Sequence, residues 1–316
     1  MSNKDKFITF CQSNESIPIF MQCWWLDAVS EDNWDVILME ENNKIIAFLP
    51  YFLHKKYCFK SIIPPHLTPI GGVWLSYEQG MLQTSRYTHE IKVMDYIAKE
   101  IDNLKIDFFS QKFNHKITNW LGFYWNGFNQ TTYYTYRIND LENIELIYQN
   151  IASKKRRIIR NAEENIVIDN EITNEKFYEI LSMSFERQGL KMPYSYSLFE
   201  RIEKECSQRQ RSSKLVAKDK QGNIDAVMYL VFDETTCYTL ASGADPKYRD
   251  SGAMALLNWK AMELAHKMGK KEFDFTGSMM PNVEKFFRFY GATLTPYFLI
   301  EKNYSKLYTL LRSLKH

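Results

Sequence analysis

Residues 241–298 read ASGADPKYRDSGAMALLNWKAMELAHKMGKKEFDFTGSMMPNVEKFFRFYGATLTPYF, and the fold turns on them. The run CYTLASGA ending at Ala244 is β-rich, and Pro246 with the polar run Lys247–Ser251 makes a turn. Leu256, Leu257, Met262, Leu264, Ala265 and Met268 then fall at helical spacing, so Met254–Met268 is expected to be a helix. Gly269 is its stop, and Lys267, Lys270 and Lys271 oppose the negative helix end. KEFDF at 271–275 is a short strand, followed by a short helix and a last aromatic strand.

The chemistry of this stretch lies where the helix begins. Unpaired N–H groups at a helix N-terminus favour an anion, Gly252 lets a ligand approach the backbone, and Arg249 adds a fixed charge. A pyrophosphate-bearing donor suits such a site. An ordinary β–α crossover with a Gly/Ser start gives the same pattern, since a lone glycine turn is a weak signal.

At 316 residues the chain can bury one large core or two medium ones. With 25% charged residues and a net charge of +2 there is no global basic field, which argues against DNA as a partner; a polyanion must be met locally. Cysteines 11, 23, 58, 206 and 237 show no CxxC spacing, their odd number argues against a disulfide framework, and the histidines form no HxH or HExxH group, so no metal is expected. The absence of an apolar signal region or a membrane-length apolar run leads us to expect a cytoplasmic protein.

Outward from 241–298, the same order of elements is found in the first half. PIFMQCWWLDAV reads as a helix after Pro18; Trp24 and Trp25 suit core and rim, or the wall of a substrate groove. Trp34–Leu53 reads as a hairpin with a turn at Asn42–Asn43, and IIPPHLTPIGGVWL as a rigid loop. Thr88–Asn103 is an amphipathic helix, LKIDFFS a buried strand, and Ile117–Leu121 a short helix stopped by Gly122. In FNQTTYYTYRIN, Thr132, Tyr134 and Tyr136 share one strand face and Tyr133, Thr135 and Arg137 the other.

The second half begins near 141. Glu142–Asn165 reads as one helix whose middle holds five basic residues in seven; Lys154, Arg157 and Arg160 recur at i, i+3, i+6. They form either a solvated face or a phosphate contact. Helices over Phe177–Phe185 and Tyr196–Cys206 and a hairpin over Lys214–Asp233 follow. KIIAFLPYFL echoes NIDAVMYLVF, and IDF at 106–108 echoes FDF at 273–275. The expected fold class is α/β (α+β): two copies of one unit, 1–140 and 141–316, each a mixed, largely antiparallel sheet flanked by helices.

Two linked units of this kind resemble a tandem pair of GNAT acyltransferase folds, and in particular the FemAB-like and CelD-like bacterial acyltransferases. The resemblance rests on PIFMQCWWLDAV, TYYTYRI, KKRRIIRNAE, FERQGLKMP and, above all, ADPKYRDSGAMALLNWKAMELAHKMGKKEFDFTGSMMPNVEKFFRFYGA. It implies that Arg249, Ser251, Gly252 and Ala253 lie in the loop that holds a donor pyrophosphate, with Met254 departing from a small last residue. It implies a splayed strand at Ser242, Gly243 and Ala244 whose backbone N–H polarises the reacting carbonyl. The donor expected is acyl-CoA, acetyl-CoA first. Phe287 occupies the position where the family has a general-acid Tyr or a Lys, so Asp274, Arg288 and Tyr290 are the catalytic candidates. Asp274 can equally serve the adjacent loop 276–278. Trp24, Trp25, Lys154, Arg157, Arg160 and Lys285 are candidates for substrate binding.

The expected reaction is acyl transfer to an amine of a cell-envelope glycan or polysaccharide precursor, small or lipid-linked, with peripheral membrane contact left open. The competing readings are an aminoacyl-tRNA-dependent transferase of the peptidoglycan-bridge type and a non-catalytic GNAT-like binding protein. The stretch between Phe199 and Lys214 is too short for the helical arm of many tRNA-dependent relatives, which disfavours tRNA as donor.

Overall fold

The computed structural model describes residues 1–31, 33–277 and 279–313. Contacts divide the chain into two compact units, Met1–Tyr133 with Pro296–His316, and Tyr134–Thr295. The elements in chain order are α1 Asn3–Gln12, α2 Cys23–Ser30, β1 Asp35–Glu41, β2 Lys44–Tyr51, β3 Leu53–Lys56, β4 Phe59–Ile62, β5 Trp74–Leu75, α3 Gln83–Asn103, β6 Phe108–Lys112, α4 Leu121–Trp125 and β7 Asn129–Ile138. Then come α5 Ile144–Asn150, α6 Ser153–Glu163, β8 Ile166–Asp169, α7 Asn174–Glu186, α8 Tyr196–Gln208, β9 Ser212–Asp219, β10 Ile224–Phe232, β11 Thr236–Ala244, α9 Ala253–Lys267, β12 Glu272–Asp274, α10 Pro281–Arg288, β13 Thr293–Asn303 and α11 Lys306–Ser313.

In the first unit β1, β2 and β5 pair antiparallel, and the Asn42–Asn43 turn forms as expected, both residues at positive φ (50° and 61°). A second group runs β3-β4-β6-β13, in which only β4/β6 is parallel. The apolar face of α3 (Val93, Ile97, Ile101) packs with Phe109 and Ile300 in the core. In the second unit the order is β7-β12-β11-β10-β9-β8, and only β11/β12 is parallel. Here α9 buries Leu256, Leu257 and Met262 against Met228, Leu230 and Phe273.

The internal echo therefore has a topological meaning. Each aspartate–phenylalanine strand, β6 and β12, lies between one parallel and one antiparallel neighbour in its own unit. The second unit is a mixed, largely antiparallel sheet flanked by helices, as expected from the sequence, whereas the first divides its strands between an antiparallel sheet, β1-β2-β5, and the mixed group β3-β4-β6-β13.

Three local readings are corrected. Glu142–Asn165 is two helices, because Ile151, 1% exposed, turns extended (ψ 134°) to reach the core, and the Ala152 N–H donates to Phe289 O at 3.0 Å. The segment after Pro18 is a 3-10 turn, Ile19–Met21, and α2 starts only at Cys23. Gly122 is not a helix stop: it lies inside α4, where a Cβ would come within 2.3 Å of the Asp95 backbone nitrogen, so it permits a close crossing with α3.

Candidate functional site

The second unit holds an opening built by two strands that part. β11 and β12 pair over Thr236–Tyr238 and Glu272–Asp274 only, whereas β11 continues to Ala244. The Thr276 hydroxyl donates to Thr239 O and closes the near end of the opening. Beyond it, one edge of β11 has lost its strand neighbour.

Which backbone groups face that edge follows from alternation. Asp245 N–H donates to Asp225 O (3.0 Å), so residue 245 points at β10; Gly243 does likewise, and Ser242 and Ala244 point the other way. Ala244 N–H is already taken by Ser184 Oγ of α7, at 2.9 Å. A Cβ on Gly243 would meet Leu181 Cα at 2.7 Å, so that glycine serves the packing of α7 on the sheet. Of the three residues expected on the splayed strand, Ser242 alone aims its N–H along the open edge without an internal partner among the described residues.

The loop before α9 follows. Arg249 is exposed, and its side chain makes no hydrogen bond among the described residues. Ser251 Oγ accepts the Ala253 N–H at 3.2 Å and hydrogen-bonds to Asp225, whose carboxyl is pushed upward chiefly by burial. Gly252 is the N-cap of α9 at φ +81°, and a Cβ there would meet Ile158 Cγ2 at 3.0 Å and Ala162 Cβ at 3.2 Å. Helix α6 thus occupies the space beside Gly252 that a bare glycine opens.

The catalytic candidates are dispersed. Asp274 is fully buried, and its carboxylate accepts from Thr135 Oγ1 (2.6 Å), Thr276 N (2.7 Å) and Arg137 Nη1. Its service to the adjacent loop is therefore realised through Thr276; Ser278 lies outside the described residues. Tyr290 is also fully buried and donates to Ala255 O at 3.1 Å, and burial holds its hydroxyl well above the usual tyrosine range. Both are built into the core. Arg288 is exposed and pairs with Glu284 at 3.2 Å. Phe287 is half-buried, its ring 4.9 Å from that of Phe275.

Of the substrate candidates, Lys154, Arg157 and Arg160 share the exposed face of α6, and Lys285 is exposed on α10. Trp25 is in the core of the first unit, 0% exposed, with Nε1 donating to Thr68 Oγ1 at 3.1 Å; it lines no groove. Trp24 is half-buried, its ring 5.9 Å from that of Trp25.

Two features escaped sequence reading. Tyr136 on β7 donates to Glu284 Oε1 of α10 at 2.5 Å, and burial and that carboxylate raise its hydroxyl above the ordinary tyrosine value. Lys155 turns inward from the basic run, 8% exposed, with Nζ 3.6 Å from the Phe286 ring centre and 5.0 Å from that of Tyr290. Burial lowers its ammonium to about 8. The only sequence signal for Lys155 was its position one residue off the i, i+3, i+6 series. Nothing in the sequence pairs position 136 with 284.

Residues 148–288 match the family described as the acetyltransferase (GNAT) domain. No curated protein matches the chain. Among solved structures the chain is similar to FemX (TM-score 0.67, 13% identity, 94% of this chain and 96% of that one). It is also similar to the C-terminal domain of a putative lysylphosphatidylglycerol synthetase from Agrobacterium fabrum (TM-score 0.57, 13% identity, 96% and 93%). A third is a tandem GNAT protein from the clavulanic acid biosynthesis pathway (TM-score 0.52, 8% identity, 86% and 84%). Among the described residues no helix is long and apolar enough to cross a membrane. The chain has the fold of tandem GNAT proteins, and its residues 148–288 match the acetyltransferase (GNAT) domain family.

Proposed function

We propose that this protein is an N-acyltransferase that moves an acyl group from acyl-CoA to an amine of a cell-envelope glycan precursor. The observation that carries the reading is the parting of β11 from β12 after Tyr238 and Asp274. An extended thioester donor can lie along the freed edge of β11 as an added strand would. Ser242 N–H then donates to the thioester carbonyl oxygen as negative charge develops there. Arg249 and the N-terminus of α9 take the donor's phosphates.

The neutral amine attacks the carbonyl carbon and loses its proton to a base, the C–S bond breaks, and the departing thiolate takes that proton back from the base. Asp274 and Tyr290 are sealed in the core, so we assign the proton-accepting role to Glu284, hydrogen-bonded to Tyr136, with Arg288 beside it. The envelope-glycan amine and acetyl-CoA are what the family resemblance implies.

A competing reading, a donor other than CoA such as aminoacyl-tRNA, is favoured by one observation: α6 fills the space beside Gly252. The two readings separate in a thermal-shift series with CoA, acetyl-CoA and charged tRNA. Stabilisation by acetyl-CoA that Arg249→Ala abolishes, with thiol release in the presence of amino sugars, is the expected result. A shift with charged tRNA alone would replace the proposal with the competing one.

A further inference from the structure

The first unit contains a cavity of about 260 Å³. Its walls are mixed: Met21, Val73, Trp74 and Ile117 give it an apolar side, and Arg86 and Lys116 bring two cations to it. Trp74 is held flat against Phe48, ring centres 4.9 Å apart at 15°, so the wall it forms is rigid.

Arg86 is set in place from two sides. Its Nε donates to Glu90 Oε1 at 3.1 Å, and its guanidinium carbon lies 4.1 Å from the Tyr77 ring centre. Glu90 is itself 8% exposed and accepts two more bonds, from Tyr77 OH (2.9 Å) and Asn119 Nδ2 (3.1 Å). One buried carboxylate thus ties the loop after β5, which carries Tyr77, to the segment before α4, which carries Asn119. The cavity takes lining residues from both regions.

The carboxylate engages only the Nε corner of the fork. Beyond Glu90 the guanidinium meets the Tyr77 side chain, and its Nη1/Nη2 edge is the one that matches two oxygens of a carboxylate or phosphate. A surface arginine serving only to neutralise Glu90 needs neither the stacked tyrosine nor a cavity with a rigid indole wall.

We propose that this cavity binds an organic oxyanion with a flat or apolar body about the size of one ring: the carboxylate or phosphate meets Arg86, with Lys116 adding charge, and the body lies against Trp74. This site belongs to the first unit and does not depend on the acyltransferase reading of the second.

The test is saturation-transfer NMR and calorimetry on the full chain with benzoate, phenyl phosphate, benzyl alcohol and inorganic phosphate. Benzoate or phenyl phosphate is expected to bind at least ~10-fold more tightly than benzyl alcohol or inorganic phosphate, and the stronger of the two identifies the oxyanion. Arg86→Gln should weaken that binding by ~10-fold or more, and Arg86→Lys, which keeps the charge but not the fork, should also weaken it. The proposal is overturned if neither anion binds, if benzyl alcohol binds as well as the anions, or if both Arg86 variants bind like the parent chain.

Discussion

Arg137 on β7 and Asp274 on β12 form an ion pair sealed from solvent, the side chains 1% and 0% exposed. Arg137 also donates to Glu272 at 2.6 Å, and Asp274 holds Thr135 and Thr276. The pair lies where β12 ends and its partner β11 runs on alone. It stands at the point where the two strands part.

Replacing Asp274 by Asn should leave the buried Arg137 charge with Glu272 as its one remaining carboxylate partner. The expected loss is about 3 kcal/mol of folding stability, the low end for breaking a buried pair, read by denaturant titration. An Arg137→Met/Asp274→Leu double variant should lose less than Asp274→Asn alone, because no fully buried charge remains: Glu272, which loses Arg137, is 21% exposed and keeps its bond from Thr236. A variant Asp274→Asn with unchanged stability but lost turnover would instead mark Asp274 as catalytic.

Lys155 gives stability a pH dependence of defined sign. Burial lowers its folded-state value from the ordinary 10.5 to about 8, so between these values the unfolded chain holds the extra proton. Stability should rise as pH increases from about 8 to 10.5, and that rise should vanish in Lys155→Met. Chemical denaturation across this window measures it; an identical slope in the variant would remove Lys155 as the cause.

Gly252→Ala tests whether the glycine serves packing or ligand approach. Positive φ and the contacts with Ile158 and Ala162 predict a loss of about 1–3 kcal/mol without any ligand present. The thermal midpoint of the unliganded variant is the measurement. A normal midpoint combined with lost CoA binding would assign the glycine to the donor instead.

Reversing Lys154, Arg157 and Arg160 to Glu one at a time should change stability by no more than about 0.5 kcal/mol, because these side chains stand on the exposed face of α6. If the face contacts a phosphate-bearing substrate, each reversal raises KM, and the effect shrinks as salt increases. A salt-independent change in kcat would place them elsewhere in the mechanism.

Much of the fold was legible because its signals are local. Asn42–Asn43 made its hairpin, the spacing of Leu256, Leu257 and Met262 made α9, and Gly269 at φ +72° ended it. The repeated D-F strands announced two related units. Glycines were read less well. Gly122 and Gly243 resemble stops or ligand-facing positions in one dimension, yet each is there because another element crosses within 3 Å of where its Cβ would be.

The residue sequence by itself determined the hairpin turns, the helix α9 with its stop, and the likeness to tandem GNAT proteins, since periodicity and turn chemistry act over a few neighbouring residues. Only the tertiary structure decided which polar groups are sealed and which are presented. Asp274 and Tyr290, expected at the chemistry, are held in the core by Arg137 and by Ala255 O. Lys155, one member of a uniform basic run, turns inward onto Phe286. Tyr136 meets Glu284 across 148 positions of chain. Burial and pairing over such separations depend on how strands and helices pack, and no local pattern encodes them.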